Sequence, residues 1–499
     1  MFFTLAIATL AVAVAVAVAW SKSRTRRSNH RCSCEPPGSL GWPIVGETLA
    51  ILHSGRSGKP ELFVQERMLR HDPDVFKTHL LGEIIATFCG PNGNKFLFSN
   101  ESKGLLLTCW PSSLARLFGY SFLTKLGEEA MRVRMMVVVP FLRPNTLHRL
   151  VARFDLLCKV RIERDWKGRG VVHAFPPIKK YAFSVACGLL TSIGSKEDQA
   201  RLLEELSTVA KGAFQLPIYF SGTKYYRATR SNDLLRAYNY VVGAEEEDDL
   251  MSHLMKVKDE EGNSMTDKQI ADNVILLLSA GHDTSSSTMA MLLFHLAHNP
   301  HCYDRVLRGC SLFSSRLSPL FFSLNWSPCQ REIAKSKAQG QLLNREDTQK
   351  MKYFWNVPST DLTYAGYTIP KGWKLGWSMN STHKMDKHFP ELEKFNPARF
   401  EEEEEAEGDS PPAPYTFVPF GGGPRMCPGK DFARIQILVF LYNIVTNFRW
   451  ELLFPHELIS VDPMPTPSKG LPINLYPHLK HLKPSTCSCC TFNFKSMRC

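Results

Sequence analysis

Hydrophobic positions along this chain recur mostly with α-helical spacing, and short strand-like pieces interrupt them. The longest apolar stretch runs from Thr266 to His298 and is ended by Asn299 and a proline. A second apolar stretch, Asp431–Trp450, also predicts a helix. Strand-like pieces lie at Val75–Gly82 and Thr363–Ile369. The pattern predicts a mainly α-helical fold with small β-sheets.

The first twenty residues, Met1–Trp20, are almost entirely apolar. A helix of that length spans about 30 Å, the thickness of a bilayer's hydrocarbon core. Basic residues follow at once, between Lys22 and Arg31, and none precedes the run. We therefore expect residues 1–20 to be a transmembrane signal anchor with the remainder of the chain on the cytosolic side. A cleaved secretory signal is the alternative, which the small residues Ala15 and Ala17 allow.

Residues 21–47 form a basic stretch followed by a proline-rich segment, Pro36–Gly46. Proline removes backbone donors and stiffens the chain, so this segment is predicted to be a rigid hinge. At the other end, residues 481–499 are an irregular, cysteine-rich tail. Residues 48–480 are left as the main globular domain.

The composition of the 499-residue chain is that of a globular protein, with 44% hydrophobic and 22% charged residues. The formal net charge is +12. No face combines basic and aromatic residues, so we expect no nucleic-acid partner. A membrane surface and an acidic protein partner explain the charge better. The 14 cysteines are scattered along the chain and favour reduced thiols over a disulfide framework.

One cysteine, Cys427, lies between a glycine-rich turn and the predicted helix Asp431–Trp450. Three consecutive glycines, Gly421–Gly423, allow the backbone to bend sharply and to approach a planar ligand. Cys427 would then lie near the positive end of the helix dipole, which favours a thiolate that binds metal. Arg425 is placed to pair with a carboxylate on the same ligand. A buried structural cysteine is the alternative.

This stretch resembles the haem-binding loop of cytochromes P450, whose pattern is Phe-x-x-Gly-x-Arg-x-Cys-x-Gly. The fixed positions are filled here by Phe420, Gly423, Arg425, Cys427 and Gly429. The resemblance implies the cytochrome P450 fold behind an N-terminal membrane helix, with haem b as cofactor. It also implies that the cysteine binds the haem iron and that the other four residues contact the cofactor.

The centre of the long apolar stretch carries Ala280-Gly281-His282-Asp283-Thr284 followed by serine. An acid and a hydroxyl within a buried helix are costly unless they have a role. The Thr284 hydroxyl is expected to bond the Ala280 carbonyl and to open the helix locally. Gly281 lets a bulky ligand approach, and Asp283 is expected to relay protons from solvent. A second membrane helix is the alternative, and the charged pair His282-Asp283 disfavours it.

The same segment resembles the oxygen-side helix motif of cytochromes P450, Ala/Gly-Gly-x-Asp/Glu-Thr-Thr/Ser. The resemblance implies that Asp283 and Thr284 are catalytic and that Ala280 and Gly281 line the cofactor pocket. Arg134, in the helix-like segment Gly127–Val138, lies where the family often supplies a second propionate partner; an exposed helical arginine is the alternative.

The chain departs from the family at internal positions. No Glu is followed three residues later by Arg between positions 285 and 420, although the family normally carries such a Glu-x-x-Arg helix. This segment is predicted to be missing near 357–358, and residues 309–330 are predicted to be an atypical insertion. The missing pair would leave Arg399, in the Pro-x-Arg-Phe element, without its usual partner.

The resemblance implies a membrane-anchored monooxygenase that inserts one atom of O2 into a C–H bond of an apolar small molecule. Electrons are expected from NADPH-cytochrome P450 reductase, and the location is expected to be the endoplasmic reticulum membrane, single-pass, with the catalytic domain facing the cytosol. Several stretches resemble plant enzymes that oxidise pentacyclic triterpenes such as β-amyrin: Glu35–Glu47, Lys95–Asn100, Trp110–Ser113, Pro414–Ala433 and Asp462–Pro472.

Other readings remain open from the sequence alone. Sterol, brassinosteroid or taxane-type diterpenoid oxidation is an alternative for the substrate. An inactive or mis-spliced remnant of a cytochrome P450 is a second alternative, because of the missing Glu-x-x-Arg helix. A thiolate metal-binding protein without haem is a third, and it requires further ligands near Cys427.

Overall fold

The computed structural model describes residues 34–478, except 43–44, 81, 111, 126, 139–140, 143, 192, 194, 214, 216, 243–248, 260, 315–354, 392–394, 396–413 and 463. Helices predominate in these ranges and the strands form small sheets. The predicted mainly α-helical fold is confirmed.

The helices of the described residues are numbered in chain order. They are α1 (Thr48–Arg56), α2 (Glu61–Arg70), α3 (Gly90–Ser102), α4 (Ser112–Phe118), α5 (Gly127–Val137), α6 (Pro144–Asp165), α7 (Phe175–Leu190), α8 (Lys196–Ala213), α9 (Lys224–Val242), α10 (Leu250–Lys256), α11 (Asp267–His298), α12 (Pro300–Ser314), α13 (Asn380–His383) and α14 (Lys430–Asn447).

The strands are β1 (Val75–Leu80), β2 (Glu83–Phe88), β3 (Leu106–Cys109), β4 (Val171–His173), β5 (Trp355–Pro358), β6 (Leu362–Tyr364), β7 (Tyr367–Ile369), β8 (Lys374–Trp377), β9 (Phe448–Leu452), β10 (Ile459–Val461), β11 (Pro465–Pro467) and β12 (Pro472–Pro477). A five-stranded sheet has the order β1-β2-β8-β5-β3, and a three-stranded sheet has the order β4-β12-β9. The remaining strands of the described ranges form two two-stranded antiparallel sheets, β6-β7 and β10-β11. The β2–β8 pair is parallel, and the other pairs are antiparallel.

Helix α11 runs through the middle of the largest hydrophobic core. It begins with a capping box, in which the Thr266 hydroxyl accepts from the Gln269 N–H and the Gln269 side chain accepts from the Thr266 N–H. This arrangement satisfies two backbone donors that a helix start leaves unpaired. The predicted helix Thr266–His298 is thereby confirmed to within one residue.

The helix that follows the Cys427 loop, α14, is fixed within the same core as α6, α7 and α11. The Phe432 ring, in its first turn, packs edge-to-face on Phe154 of α6, with ring centroids 5.7 Å apart. Tyr181 of α7 stacks on Phe440 of α14 at 5.8 Å. Large buried aromatic pairs contribute much of the stability of a core, so the helix that follows the loop is held firmly by α6 and α7.

The prediction of a helix up to Trp450 is wrong at its C-terminal end. Helix α14 ends at Asn447, and residues Phe448–Leu452 form strand β9, which pairs with β12. Phe448 and Trp450 are buried, whereas Arg449 between them is exposed. This alternation has the period of two that belongs to a strand and overrides the helical spacing of the preceding residues.

The predicted strand Thr363–Ile369 is a hairpin, since β6 and β7 are joined by Ala365 and Gly366 with φ values of 51° and 81°. Two central residues with positive φ are typical of the tight turns that suit hairpins. The position of the predicted missing segment, 357–358, falls inside strand β5, which pairs with β3 and β8.

Among the described residues, the longest helices are too short or too polar to span a bilayer. The predicted anchor 1–20 and the tail 481–499 lie outside the described residues. So do Arg399 and most of the predicted insertion 309–330, of which only residues up to 314 are described, in α12.

Candidate active site

The segment Phe420–Gly429 forms a tight loop that leads directly into α14. The Cys427 N–H donates to the Phe420 carbonyl at 2.9 Å, which closes the loop on itself. The Cys427 thiol is half-buried and forms no disulfide. Helix α14 begins at Lys430, so the thiol lies just before a helix N-terminus, where a negative charge is stabilised.

Different structural constraints favour glycine at the three consecutive glycine positions of this loop. Gly421 and Gly423 have φ values of 74° and 67°, which other residues rarely adopt. Gly422 has another constraint: a Cβ atom there would lie 2.5 Å from a ring carbon of Phe98 in α3. The loop backbone therefore lies directly against that ring, and a side chain at Gly422 would displace it.

Arg134 of α5 reaches the same loop. Its Nη2 donates to the Met426 carbonyl at 2.7 Å, beside the cysteine. Burial lowers the pKa of Arg134, and the nearby Cys427 sulfur opposes that effect. The structure thus places Arg134 beside the Cys427 loop, and its role as a propionate partner stays a prediction.

Arg425 of the loop points toward the segment between α4 and α5. Its Nη2 donates to the carbonyls of Phe122 and Leu123, at 3.1 Å and 3.3 Å. Two arginines, from α5 and from the loop itself, therefore flank Cys427.

The centre of α11 is accessible to solvent at Ala280 and partly at Thr284, and this stretch is called here the Ala280 opening. Residues 270–279 and 285–293 are all buried, whereas Ala280 is exposed and Thr284 is partly exposed. The Thr284 hydroxyl donates to the Ala280 carbonyl at 2.8 Å, as expected. The expected opening of the helix is not observed, since α11 continues unbroken through these residues. A Cβ atom at Gly281 would lie 3.5 Å from the Phe432 ring, so this turn borders the start of α14.

Asp283 forms an ion pair with a lysine of α7. Its Oδ1 lies 2.8 Å from the Lys179 Nζ and 3.3 Å from the His282 Nε2. Burial alone would raise the pKa of Asp283, but His282 and Lys179 outweigh that effect and hold its pKa well below its usual range. Asp283 is therefore a carboxylate at neutral pH, fixed in an ion pair.

The residues around Cys427 fit haem better than a bare metal ion. Within the described ranges, no group of three or more His, Cys, Asp or Glu side chains is placed to hold a metal. A single thiolate suffices for iron whose other ligands are porphyrin nitrogens. The two arginines match the charge and fork geometry of carboxylates such as the haem propionates.

A comparison with protein families decides between a haem site and a bare metal site at Cys427. The profile of the family described as Cytochrome P450 matches residues 36–308 and 356–473. The chain belongs to the cytochrome P450 family. The family resemblance, the cytochrome P450 fold and haem b as the cofactor are therefore confirmed, and the protein is a monooxygenase that uses O2, an apolar substrate and a redox partner.

Relatives of this cytochrome P450 are similar over most of its length. A beta-amyrin 28-monooxygenase from Vitis vinifera is 41% identical, over 89% of this chain and 92% of the relative. A beta-amyrin 6-beta-monooxygenase from Solanum lycopersicum is 40% identical, over 90% of this chain and 94% of the relative. The structure of a retinoic acid-bound cyanobacterial CYP120A1 has a TM-score of 0.77 and 26% identity, over 89% of this chain and 100% of that chain.

The sequence did not indicate Lys179 as part of the site. It lies in α7, far from Asp283 along the chain, and its only local signal is a charged position in a helix otherwise rich in buried residues. Trp110, in one of the stretches that resemble triterpene oxidases, packs against a small cluster that includes Leu114 of α4 and Tyr225 of α9.

Proposed function

We propose that this cytochrome P450 oxidises a C–H bond of an apolar terpenoid, namely a pentacyclic triterpene of the β-amyrin type. The observation that carries the substrate class is the 41% identity, over 89% of the chain, to a beta-amyrin 28-monooxygenase. The relatives differ in the carbon they are named for, 28 or 6-beta, so the proposal covers the triterpene skeleton and not one position.

Cys427 is proposed as the protein ligand of the haem iron. Haem b, when bound, supplies the one-electron and O2 chemistry that the side chains cannot perform. Three features support the assignment: the half-buried free thiol, the adjacent start of α14 at Lys430 and the closed loop to Phe420. In this proposal Phe420, Gly423 and Gly429 shape the loop.

Arg134 and Arg425 are proposed to pair with the two propionates. Both guanidinium groups now use one nitrogen for backbone carbonyls, at Met426 and at Phe122 and Leu123. An arginine has five N–H donors in a planar fork, so a carboxylate can be bound while a carbonyl contact is kept.

Thr284 and Asp283 are proposed to deliver protons, with Ala280 and Gly281 leaving the space beside them. The Thr284 hydroxyl lies on the exposed face of α11 and exchanges its carbonyl bond at little cost. Asp283 is ionised and bound to Lys179, so it can take a proton only after that ion pair opens. We infer that Lys179 regulates this step.

The finer assignments of partner and location are also proposals. The net charge of +12 supports an acidic redox partner, for which NADPH-cytochrome P450 reductase is proposed. The apolar residues 1–20 and the basic residues after them support a single-pass anchor in the endoplasmic reticulum membrane, with the catalytic domain facing the cytosol.

The domain boundaries remain proposals as well. The two segments that match the family profile leave out residues 309–355, a range that contains the proposed insertion 309–330. We propose that the main domain, 48–480, nevertheless binds haem, because both candidate halves of the site lie in matched segments.

Substrate class is tested with the full chain in microsomes that contain a plant reductase. We expect β-amyrin to give a hydroxylated or carboxylated product and a blue shift of the Soret band on binding. A sterol, a brassinosteroid precursor and a taxane-type diterpene serve as competing substrates. If one of these is oxidised and β-amyrin neither binds nor reacts, the triterpene proposal is wrong.

A further inference from the structure

A cluster of polar side chains from α9 and α11 holds segment 119–123, the first part of the connection between α4 and α5. The Asp272 Oδ2 accepts from the Tyr120 N–H at 2.7 Å, and its Oδ1 accepts from the Arg236 Nε at 2.6 Å. Asp272 lies in α11, two turns before the Ala280 opening, and Arg236 lies in α9. One carboxylate thus joins two helices to the backbone of the segment.

The neighbouring residue of α11 adds two bonds to the same backbone. The Asn273 Oδ1 accepts from the Phe122 N–H at 3.1 Å, and its Nδ2 donates to the Tyr120 carbonyl at 3.1 Å. Arg236 also donates to the Leu117 carbonyl at 3.2 Å, at the end of α4. These side chains satisfy backbone groups that a segment without regular structure leaves unpaired.

The burial of these groups shows that the contacts are not incidental. The Asp272 side chain is 1% exposed and Asn273 is fully buried. A carboxylate at such a depth is strongly unfavourable unless it is paired and hydrogen-bonded, as it is here. A Cβ atom at Gly119 would overlap the Asp272 carboxylate, so the backbone lies directly on it.

The other side of the same segment contacts the Cys427 loop. The carbonyls of Phe122 and Leu123 accept from Arg425, the arginine proposed to bind a propionate. The Phe122 backbone therefore donates its N–H to Asn273 of α11 and offers its carbonyl to Arg425 of the loop. A shift of this residue changes both contacts.

We propose that Asp272, Asn273 and Arg236 form a clamp, called here the Asp272 clamp, that positions segment 119–123 and, through the Phe122 and Leu123 carbonyls, Arg425 of the Cys427 loop. These residues are positioning residues, because they act through the segment and do not touch the cofactor. The inference rests on the proposed function. Because Arg425 is proposed to hold a propionate, the clamp sets how the haem lies relative to the Thr284 turn of α11. It therefore controls coupling and the position of oxidation, and not the binding of iron by Cys427.

A merely structural role for the clamp predicts a different result. Loss of a buried ion pair that serves stability alone lowers the unfolding midpoint but leaves the products of the folded enzyme unchanged. A positioning role changes the mobility of the segment, the ratio of product to NADPH consumed and the distribution of products, in enzyme that still shows its thiolate–haem absorbance.

The test compares Asp272→Asn with Asp233→Asn in the full-length chain. Asn is isosteric with Asp but removes the charge that binds Arg236. Asp233 is a matched control, since it also lies near Arg236, at 3.5 Å, but its side chain is 56% exposed. The first readout is hydrogen–deuterium exchange of the peptide that contains Tyr120 and Phe122, which requires no activity. The second is product formed per NADPH consumed.

For Asp272→Asn we expect amide exchange in segment 119–123 to be about tenfold faster, because a buried charge-assisted contact is lost. We also expect lower coupling and altered product ratios at unchanged haem content, and no change for Asp233→Asn. The proposal is overturned if exchange, coupling and product ratios all stay at wild-type values, or if exchange rises while coupling and products do not.

A second variant covers the case in which Asp272→Asn does not fold. Arg236→Lys keeps the positive charge but loses the guanidinium contact with the Leu117 carbonyl, and it is expected to show the same changes at smaller size. If Arg236→Lys folds without any of them, the inference is wrong. Absence of triterpene oxidation by the wild-type chain contradicts the proposed function. In that case coupling is measured with whichever competing substrate the wild-type chain oxidises, and the clamp is overturned if the variant's exchange or coupling stays at the wild-type value.

Discussion

At the scale of single residues, the hydroxyl of Thr284 provides the most specific test of proton delivery. We predict that Thr284→Ala keeps haem binding but lowers product formation by about a hundredfold, the low end of the contribution of a positioned proton-transfer group. NADPH consumption is expected to continue, because electron delivery does not need the hydroxyl. Product and NADPH are measured together in the same microsomes.

Thr288→Ala is the matched control for this prediction. The Thr288 hydroxyl donates to the Thr284 carbonyl at 2.9 Å, one turn further along α11, so it makes the same kind of helix bond. If both variants lose coupling equally, the effect comes from the helix and the assignment of Thr284 to proton delivery is wrong.

The ion pair between Lys179 and Asp283 predicts a pH-dependent contribution to stability. The pKa of Asp283 is lowered in the folded protein, so the pair contributes its full stabilisation above the ordinary aspartate pKa of about 4. That contribution is lost progressively as the pH falls from there toward the lowered pKa of the folded state. Lys179→Met is expected to cost about 1–3 kcal/mol at pH 7, less than a fully buried pair, because Lys179 is 23% exposed.

Chemical denaturation at several pH values measures this difference. The gap in unfolding free energy between Lys179→Met and wild type should narrow as the pH falls from about 5 to about 3, because Asp283 binds a proton at a higher pH in the folded variant than in the folded wild type. Lys180→Met, at an exposed neighbouring position, should show no gap at either pH. A gap that is constant with pH would mean that packing, and not the charge pair, explains the cost.

At the scale of elements, the contact between the Cys427 loop and α3 decides whether the loop can hold its shape. Gly422→Ala places a methyl group against the Phe98 ring, and such overpacking costs about 1–3 kcal/mol. We expect reduced thiolate–haem absorbance, measured in the carbon-monoxide difference spectrum. The double variant Gly422→Ala, Phe98→Leu should recover part of it, since the smaller side chain leaves room.

Gly170→Ala is a suitable control for that experiment, because a Cβ atom there meets nothing within 4 Å. If Gly422→Ala retains full absorbance, or if the double variant is no better than the single one, the contact with Phe98 does not determine the loop geometry.

At the scale of the whole molecule, the features predicted correctly from sequence are those with a local signature. Helix α11 has its N-cap at Thr266 and its stop at Asn299 and the proline that follows, all within a few positions of its ends, and the family motif around Cys427 is equally local. The end of α14 was mispredicted because Phe448 and Trp450 continue the apolar spacing, while pairing with β12 decides their conformation. Strand pairing is a long-range contact that local spacing does not encode.

The contacts that connect the site to the rest of the fold were not predictable from sequence for the same reason. Lys179 with Asp283, Asp272 with Tyr120 and Gly422 with Phe98 join positions far apart in the chain. Neither partner of such a pair is unusual alone. Only the packing of α7, α9 and α3 around α11 and the loop shows that each pair is formed.

The most direct test of the central claim is the carbon-monoxide difference spectrum of the reduced full-length chain in microsomes, with Cys427→Ala beside it. Cys34→Ala, at another half-buried cysteine that forms no disulfide, is the control. The account predicts a strongly red-shifted Soret band for the wild type and for Cys34→Ala, and no such band for Cys427→Ala. An unchanged band in Cys427→Ala, or no band in the wild type, would contradict the assignment of a thiolate–haem site to this chain.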